Sequence, residues 1–245
     1  MINSTNQWQD YRVGITGATG ALGRALIKKF RSEGAYVFGI THRKIIYSNE
    51  FDEKEPHEWV LWRCGEENNL LETLKKIDIL ILNHGINPQG SQDRAAINET
   101  LEINAFSTWR IMQIFEDISL NSKKKEKRHE LWINTSEAEV QPALSPGYEI
   151  SKKLIGELVS LRWNNFNKEQ KSNLLIRKIV LGPFKSELNP IGIMSPDLVA
   201  SSILFQTRFN WYLIIVSPNP LTYLLIPLSE MLRKIYCMVT QKKGK

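Results

Sequence analysis

The chain has 245 residues, 42% of them hydrophobic and 24% charged, with a formal net charge of +6. That length fits one large α/β domain with a sizeable core, and the mild positive charge is no nucleic-acid signature, leaving anionic small molecules or an anionic membrane surface as partners. Cys64 and Cys237 lie far apart without metal-like spacing, so no metal site is expected and reduced thiols in a cytoplasmic protein are. The polar start from Met1 to Asp10 carries no signal peptide, and no apolar run reaches the roughly 18 residues that a membrane span needs.

Tyr11 to Thr16 reads as a strand that runs directly into Gly17-Ala18-Thr19-Gly20-Ala21-Leu22-Gly23, followed by a helix over Arg24 to Glu33 with Leu22, Leu26, Ile27 and Phe30 inward. Strand, glycine loop and helix together make a credible dinucleotide cradle. Gly17 permits the tight turn, Gly20 lets the backbone approach a pyrophosphate, and Gly23 lets the helix pack closely on the strand. Thr19 and Leu22 fall in the same cradle. Gly34 to Thr41 reads as the second strand, whose end faces the adenosine ribose. A free 2′-hydroxyl usually meets a carboxylate there, whereas this chain offers Thr41, His42, Arg43 and Lys44. NADP(H) is therefore expected over NAD(H), with Arg43 or His42 on the 2′-phosphate.

Glu50 to Glu58 reads as a polar connection, Trp59 to Arg63 as a third strand, and Glu66 to Lys76 as an amphipathic helix with Leu70, Leu71 and Leu74 on its apolar face. Asp78 to Leu82 is a continuous apolar run that fits a parallel strand buried on both faces. It ends in Asn83-His84-Gly85, small or polar residues that leave room for ribose, and His84 is assigned a steric and hydrogen-bonding role. Asn98 to Ser119 has helical periodicity. Lys123 to Glu130 has no interleaved aromatics and reads as a solvated loop.

Leu131, Trp132 and Ile133 form a strand that leads to Ser136. Tyr148 and Lys152 follow, four residues apart and so on one face of a helix that runs to about Trp163. An ammonium beneath a phenol stabilises its phenolate and, together with a cofactor's charge, is expected to bring the tyrosine pKa from about 10 towards about 7, so that it passes protons at neutral pH. Leu174 to Val180 is a further strand. The segment Phe184 to Ser195 reads as a short substrate lid, and Pro190, Ile191, Gly192, Ile193 and Met194 in it suggest an apolar substrate. Ser195 caps another helix with Pro196 at its first position, and Trp211 to Val216 is the last strand. Leu221 to Val239 is unusually apolar, broken by Pro227, with Glu230, Arg233 and Lys234 on an expected outer face and Lys242, Lys243 and Lys245 beyond. Residues 217–245 therefore read as an extension that packs on the domain, on an oligomer partner or on a membrane surface.

The glycine loop, Asn83-His84-Gly85, Ser136, Tyr148 and Lys152 together resemble the short-chain dehydrogenase/reductase family, single-domain type, from about Tyr11 to Val216. The resemblance implies a single Rossmann-like α/β domain with a doubly wound parallel sheet of about seven strands and helices on both faces. It implies a nicotinamide cofactor and a catalytic tetrad of Asn104, Ser136, Tyr148 and Lys152, in which Asn104 sits at a helix kink that helps bind a proton-relay water. Asn83, Gly85, Gly182, Pro183 and Ser186 join the cofactor contacts, with the backbone near Val180. A homodimer or homotetramer is implied through the helix of Asn98 to Ser119 and the Tyr-Lys helix. The function implied is an NADP(H)-dependent carbonyl reductase or alcohol dehydrogenase acting on a small carbonyl or alcohol substrate. The rival is an NADP(H)-binding scaffold without chemistry, peripheral to a membrane.

Three features depart from the common pattern. The loop is Gly-x-x-Gly-x-x-Gly, as in the family's longer sugar-modifying members, Gly182-Pro183 reverses the usual pair, and the Ser-to-Tyr spacing is one shorter, which leaves Thr135 beside Ser136 for the serine role. The longer members carry a large carboxyl-terminal substrate domain that this chain lacks, which argues against a sugar epimerase. Asn134 to Glu139 and Gly182 to Ser186 also resemble dehydrogenase-like modules linked to sterol-desaturase proteins.

Overall fold

A computed structural model describes residues 7–44, 54–121 and 127–241. Strands β1 (Arg12–Thr16), β2 (Tyr36–Thr41), β3 (Glu58–Leu61), β4 (Ile79–Leu82), β5 (His129–Ser136), β6 (Leu174–Leu181) and β7 (Leu213–Val216) form one parallel sheet in the order β3-β2-β1-β4-β5-β6-β7. Every residue of β4 and β6 is buried, because parallel strands are joined by helices that cover both faces.

The helices are α1 (Ala21–Ser32), α2 (Leu71–Leu74), α3 (Arg94–Leu101), α4 (Thr108–Asn121), α5 (Pro146–Asn165), α6 (Lys168–Asn173), α7 (Pro196–Thr207) and α8 (Pro220–Gln241). One core joins Leu26 and Phe30 of α1 and Ile203 of α7 to Ile15, Ile81 and Trp132 of the sheet. The opposite core joins Leu74, Phe115 and Ile155 to Leu80, Leu131 and Ile176. This is the doubly wound Rossmann-like single domain.

Four local expectations change. The helix over Glu66 to Lys76 is a 3-10 turn, Glu67–Leu70, followed by the four-residue α2. Glu67 turns inward to accept from the Gly65 amide at 2.9 Å and from Arg110 Nε at 3.0 Å, and this local bonding competes with a longer helix. The long helix of Asn98 to Ser119 is interrupted by a π segment, Glu102–Ser107, between α3 and α4. His129 and Glu130 belong to β5 and not to a loop, because Glu130 is the carboxylate that neutralises the buried Arg177 guanidinium at 2.8 Å. Lys123 to Glu126, Glu50 to Glu53 and Lys242 to Lys245 lie outside the described residues. Helix α6, closed by a capping box between Asn167 and Gln170, was not anticipated.

The carboxyl-terminal extension is fastened to the domain by a buried charge. The Lys178 ammonium on β6 contacts Glu139 at 2.6 Å and Glu230 of α8 at 2.7 Å, and donates to the Gly156 carbonyl at 3.1 Å and to Ser160 Oγ at 2.9 Å. Glycine is required at 156, since a Cβ there would lie 2.0 Å from Glu139 Oε2. Glu230 therefore faces inward, against its expected outer position, because a buried ammonium needs a counter-charge. Burial raises the Glu139 pKa, with Lys178 opposing. Lys178→Met would leave two carboxylates facing each other without a cation. It is expected to cost about 3–5 kcal/mol at neutral pH in urea denaturation, with the loss shrinking on acidification as the carboxyls protonate.

Candidate active site

The site lies at the carboxyl ends of the strands, where the order turns between β1 and β4. Gly17 has φ +63°, and a Cβ there would come within 3.0 Å of the Asn83 carbonyl oxygen and of His84 Cα. A Cβ on Gly23 would lie 2.3 Å from the Gly17 carbonyl oxygen, so this glycine allows α1 to sit against the loop. Gly20 caps α1 without a side-chain hydrogen bond, and the first turn holds no acidic residue. The free amides and the helix dipole are thus left for an anion.

Gly17, Thr19, Gly20, Leu22, His42, Arg43, Asn83, Gly85 and Ser186 line a cavity of about 480 Å³. Trp62 and Cys64, which the sequence reading did not single out, line it too. Gly23 and Thr41 do not border it. Thr41 is buried behind the wall, with its Oγ1 accepting from the Arg43 amide at 3.1 Å and lying 3.3 Å from Thr19 Oγ1. Arg43 reaches across to Glu187 at 3.0 Å, an exposed pair of little energetic worth.

At the end of β4, His84 Nδ1 lies 2.8 Å from Thr16 Oγ1 and Nε2 lies 3.3 Å from Thr108 Oγ1. Burial first, then the Lys152 charge, lower its pKa to about 4, so His84 is neutral at neutral pH. Asn104 occupies the π segment, a frequent device at functional sites. Its Oδ1 accepts from the Ile86 amide at 2.8 Å, and its Nδ2 donates to the Ile86 carbonyl at 2.9 Å and to Ser151 Oγ at 3.0 Å. The side chain thus clamps the segment that follows β4 onto α5.

Ser136 and Tyr148 line the same cavity, and Ser136 Oγ accepts from the Ala138 amide at 3.2 Å. Thr135 instead points its hydroxyl at the Ile179 carbonyl of the neighbouring strand, 3.3 Å away, so Ser136 is the hydroxyl beside the tyrosine. Lys152 Nζ lies 5.7 Å from the centre of the Tyr148 ring and donates to the Asn134 carbonyl at 3.1 Å. Burial lowers the Lys152 pKa to about 8, with Glu139 opposing. The expected fall of the tyrosine pKa is not found in this state. Burial raises it, the Ser136 hydroxyl offsets part of the rise, and the Glu137 charge adds to it.

A second cavity of about 420 Å³ opens beside Ser136 and Tyr148 and shares Phe184, Ser186 and Leu188 with the first. Gly182 and Pro183, expected as cofactor contacts, line this second cavity and not the first. A Cβ on Gly182 would lie 2.6 Å from Ser217 Oγ, so that glycine serves the approach of the chain after β7. Glu137 and Ser145 also line the second cavity, and Ser145 Oγ is buried without a hydrogen-bond partner. No sequence pattern singles these two out, because their place depends on how β5 turns into α5. The hydrophobic residues Leu144, Ile191 and Ile193 line it as well and are 90%, 80% and 77% exposed, so the short lid region is apolar on its outside.

A doubly wound parallel sheet with a glycine cradle at its switch point and an adjoining Ser-Tyr-Lys cluster defines a nicotinamide-dinucleotide enzyme class. The model of the NAD dependent epimerase/dehydratase family matches residues 13–138, and the chain belongs to that family. Monoglucosyldiacylglycerol epimerase from Synechocystis sp. is 36% identical across 100% of the chain, which spans 58% of that relative's length. Among solved structures, a short chain dehydrogenase from Burkholderia cenocepacia in complex with NADP superposes with TM-score 0.71 at 17% identity, covering 90% of this chain and 93% of that one. The aldohexose dehydrogenase of Thermoplasma acidophilum superposes with TM-score 0.67 at 15% identity, covering 87% and 95%. The Synechocystis relative is longer than the segment it shares with this chain, so the likeness neither supplies nor removes a separate substrate domain.

A nicotinamide dinucleotide fits the residues present: the glycines leave backbone where side chains would block a pyrophosphate, and α1 offers uncapped amides to it. Lys152 carries the next prediction. Its pKa of about 8 lies below the ordinary 10.5, so the unfolded chain holds the extra proton between those values and the folded state is penalised most at and below neutral pH. Lys152→Met is expected to raise stability by about 2 kcal/mol at neutral pH in urea denaturation, after loss of its hydrogen bond, and the gain should shrink as pH rises through that window.

Proposed function

We propose that the protein inverts a hydroxyl-bearing carbon in the sugar of a glycosylated lipid by oxidising it to a ketone and reducing it again. The observation that carries this reading is the gathering of Ser136 and Tyr148 in the second cavity, with the Lys152 ammonium 5.7 Å from the Tyr148 ring, next to the glycine-cradled cavity. A bound nicotinamide supplies hydride transfer to and from the carbinol carbon. Tyr148, once ionised to the phenolate, takes the hydroxyl proton during oxidation and returns it during reduction, and Ser136 holds the same oxygen. Lys152 is mostly protonated at neutral pH with a pKa of about 8, and its ammonium favours the phenolate as the proton leaves. Asn104 keeps the cavity wall at Ile86 fixed, and its family role at a relay water is retained as part of the proposal.

The substrate class is drawn from the likeness of this chain to part of the Synechocystis relative, 58% of its length, and is supported by the second cavity. Glu137 and Ser145 there suit sugar hydroxyls, while the exposed Leu144, Ile191 and Ile193 suit acyl chains. A second reading, net reduction of an apolar ketone with NADP(H), is favoured by His42 and Arg43 in the first cavity, where a 2′-phosphate would displace Glu187 as the partner of Arg43.

The test is incubation of the purified protein with monoglucosyldiacylglycerol and a catalytic amount of NAD⁺ or NADP⁺. The expected result is a stereoisomeric glycolipid with no accumulation of reduced cofactor. Stoichiometric reduced cofactor would point to a net dehydrogenase, and an unchanged lipid with both cofactors would sink the epimerase reading. Tyr148→Phe is expected to lower turnover by roughly a hundredfold or more while NADPH binding, followed by energy transfer from tryptophan, stays near wild type. In the same titration NADPH should bind about tenfold more tightly than NADH, and Arg43→Ala should erase most of the difference.

A further inference from the structure

Helix α8 has two faces of opposite character. Thr222, Ile226 and Cys237 are buried at helical spacing, and Glu230 of the same face is tied to Lys178. Leu221, Leu224, Leu228, Leu232, Ile235 and Val239 form the opposite stripe and are all exposed. Such a stripe over a helix of 22 residues is more than the scattered apolar residues of an ordinary surface.

The charges follow the same division. Glu230 is the only acidic residue in α8 and is turned inward, so its outer face carries no negative charge. Lys234 is exposed at the flank of the stripe and lies close enough to Lys171 of α6 for its charge to be felt there. The sequence adds Lys242, Lys243 and Lys245 just beyond this end. An apolar stripe edged by cations and free of acids is complementary to an anionic bilayer surface. Among the described residues no helix is long and apolar enough to cross a membrane, so the geometry is that of a helix lying in the interface.

The start of α8 is tied to the wall of the second cavity. A groove of about 530 Å³ runs between Val140 and Leu225, Leu228, Leu232 and Tyr236 of α8. At the start of the helix, Thr222 Oγ1 donates to Glu137 Oε2 at 3.0 Å, and Glu137 lines the second cavity. We infer that α8 is a membrane-surface helix that seats the domain on an anionic lipid bilayer through its Leu221-to-Val239 stripe. This does not depend on the reaction assigned above.

The experiment is flotation of the full chain with phosphatidylcholine vesicles, with and without phosphatidylglycerol. The wild type is expected to float with the anionic vesicles and several-fold less with the neutral ones. Leu224→Glu combined with Leu232→Glu should lower the bound fraction by roughly tenfold or more, and Lys234→Glu should weaken binding to the anionic vesicles alone. These positions are exposed, so thermal unfolding and NADPH titration of the variants should match wild type, which separates lost lipid contact from lost fold. Wild-type protein that stays at the bottom of the gradient with both vesicles would overturn the inference. So would a dimer in sedimentation velocity that the double variant dissociates, since a second copy would then cover the stripe.

Discussion

The constraint on which the site depends is the divergence of the chain after β1 and β4. These strands are neighbours in the sheet, yet α1 leaves to one face and α3 and α4 lead to the other. A crevice opens at their carboxyl ends because no connection can cross it. The glycines are the condition for using it, since side chains at Gly17 and Gly23 would meet backbone atoms.

Two buried ammonium groups do different work in this frame. Lys178 is matched by Glu139 and Glu230, and the group holds α8 to β6 and α5. Among the described residues Lys152 forms no ion pair, and it donates to the Asn134 carbonyl, so burial presses its pKa down to about 8. A structural cation is satisfied by counter-charges. A cation whose charge remains available to a neighbouring phenol is left short of them, at a cost in stability.

The seam between the two cavities joins the reading of the cofactor to the reading of the substrate. Phe184, Ser186 and Leu188 face both sides, which makes the segment after β6 a shared wall and not a lid over one compartment. The raised pKa of Tyr148 belongs to the protein alone, with burial dominant. An epimerase needs the tyrosine to take a proton in the oxidation and give it back in the reduction, so the phenol must first release its own proton, a loss that the neighbouring Lys152 ammonium favours.

The sequence by itself determined the parallel sheet, the glycine cradle and the helical pairing of Tyr148 with Lys152. Each of these rests on local spacing: an apolar run of strand length, glycines between strand and helix, and side chains four residues apart. The kinked helix at Asn104 was legible only through resemblance, because a π segment leaves no periodic mark of its own. Tertiary structure alone decided the rest. It put Ser136 and not Thr135 in the cavity with the tyrosine, placed Gly182 against Ser217, put Glu137 and Ser145 in the second cavity, and drew Glu230 inward to Lys178. These outcomes depend on contacts between residues distant in the chain, and the cost of burying a charge or a polar group is set only when those residues meet.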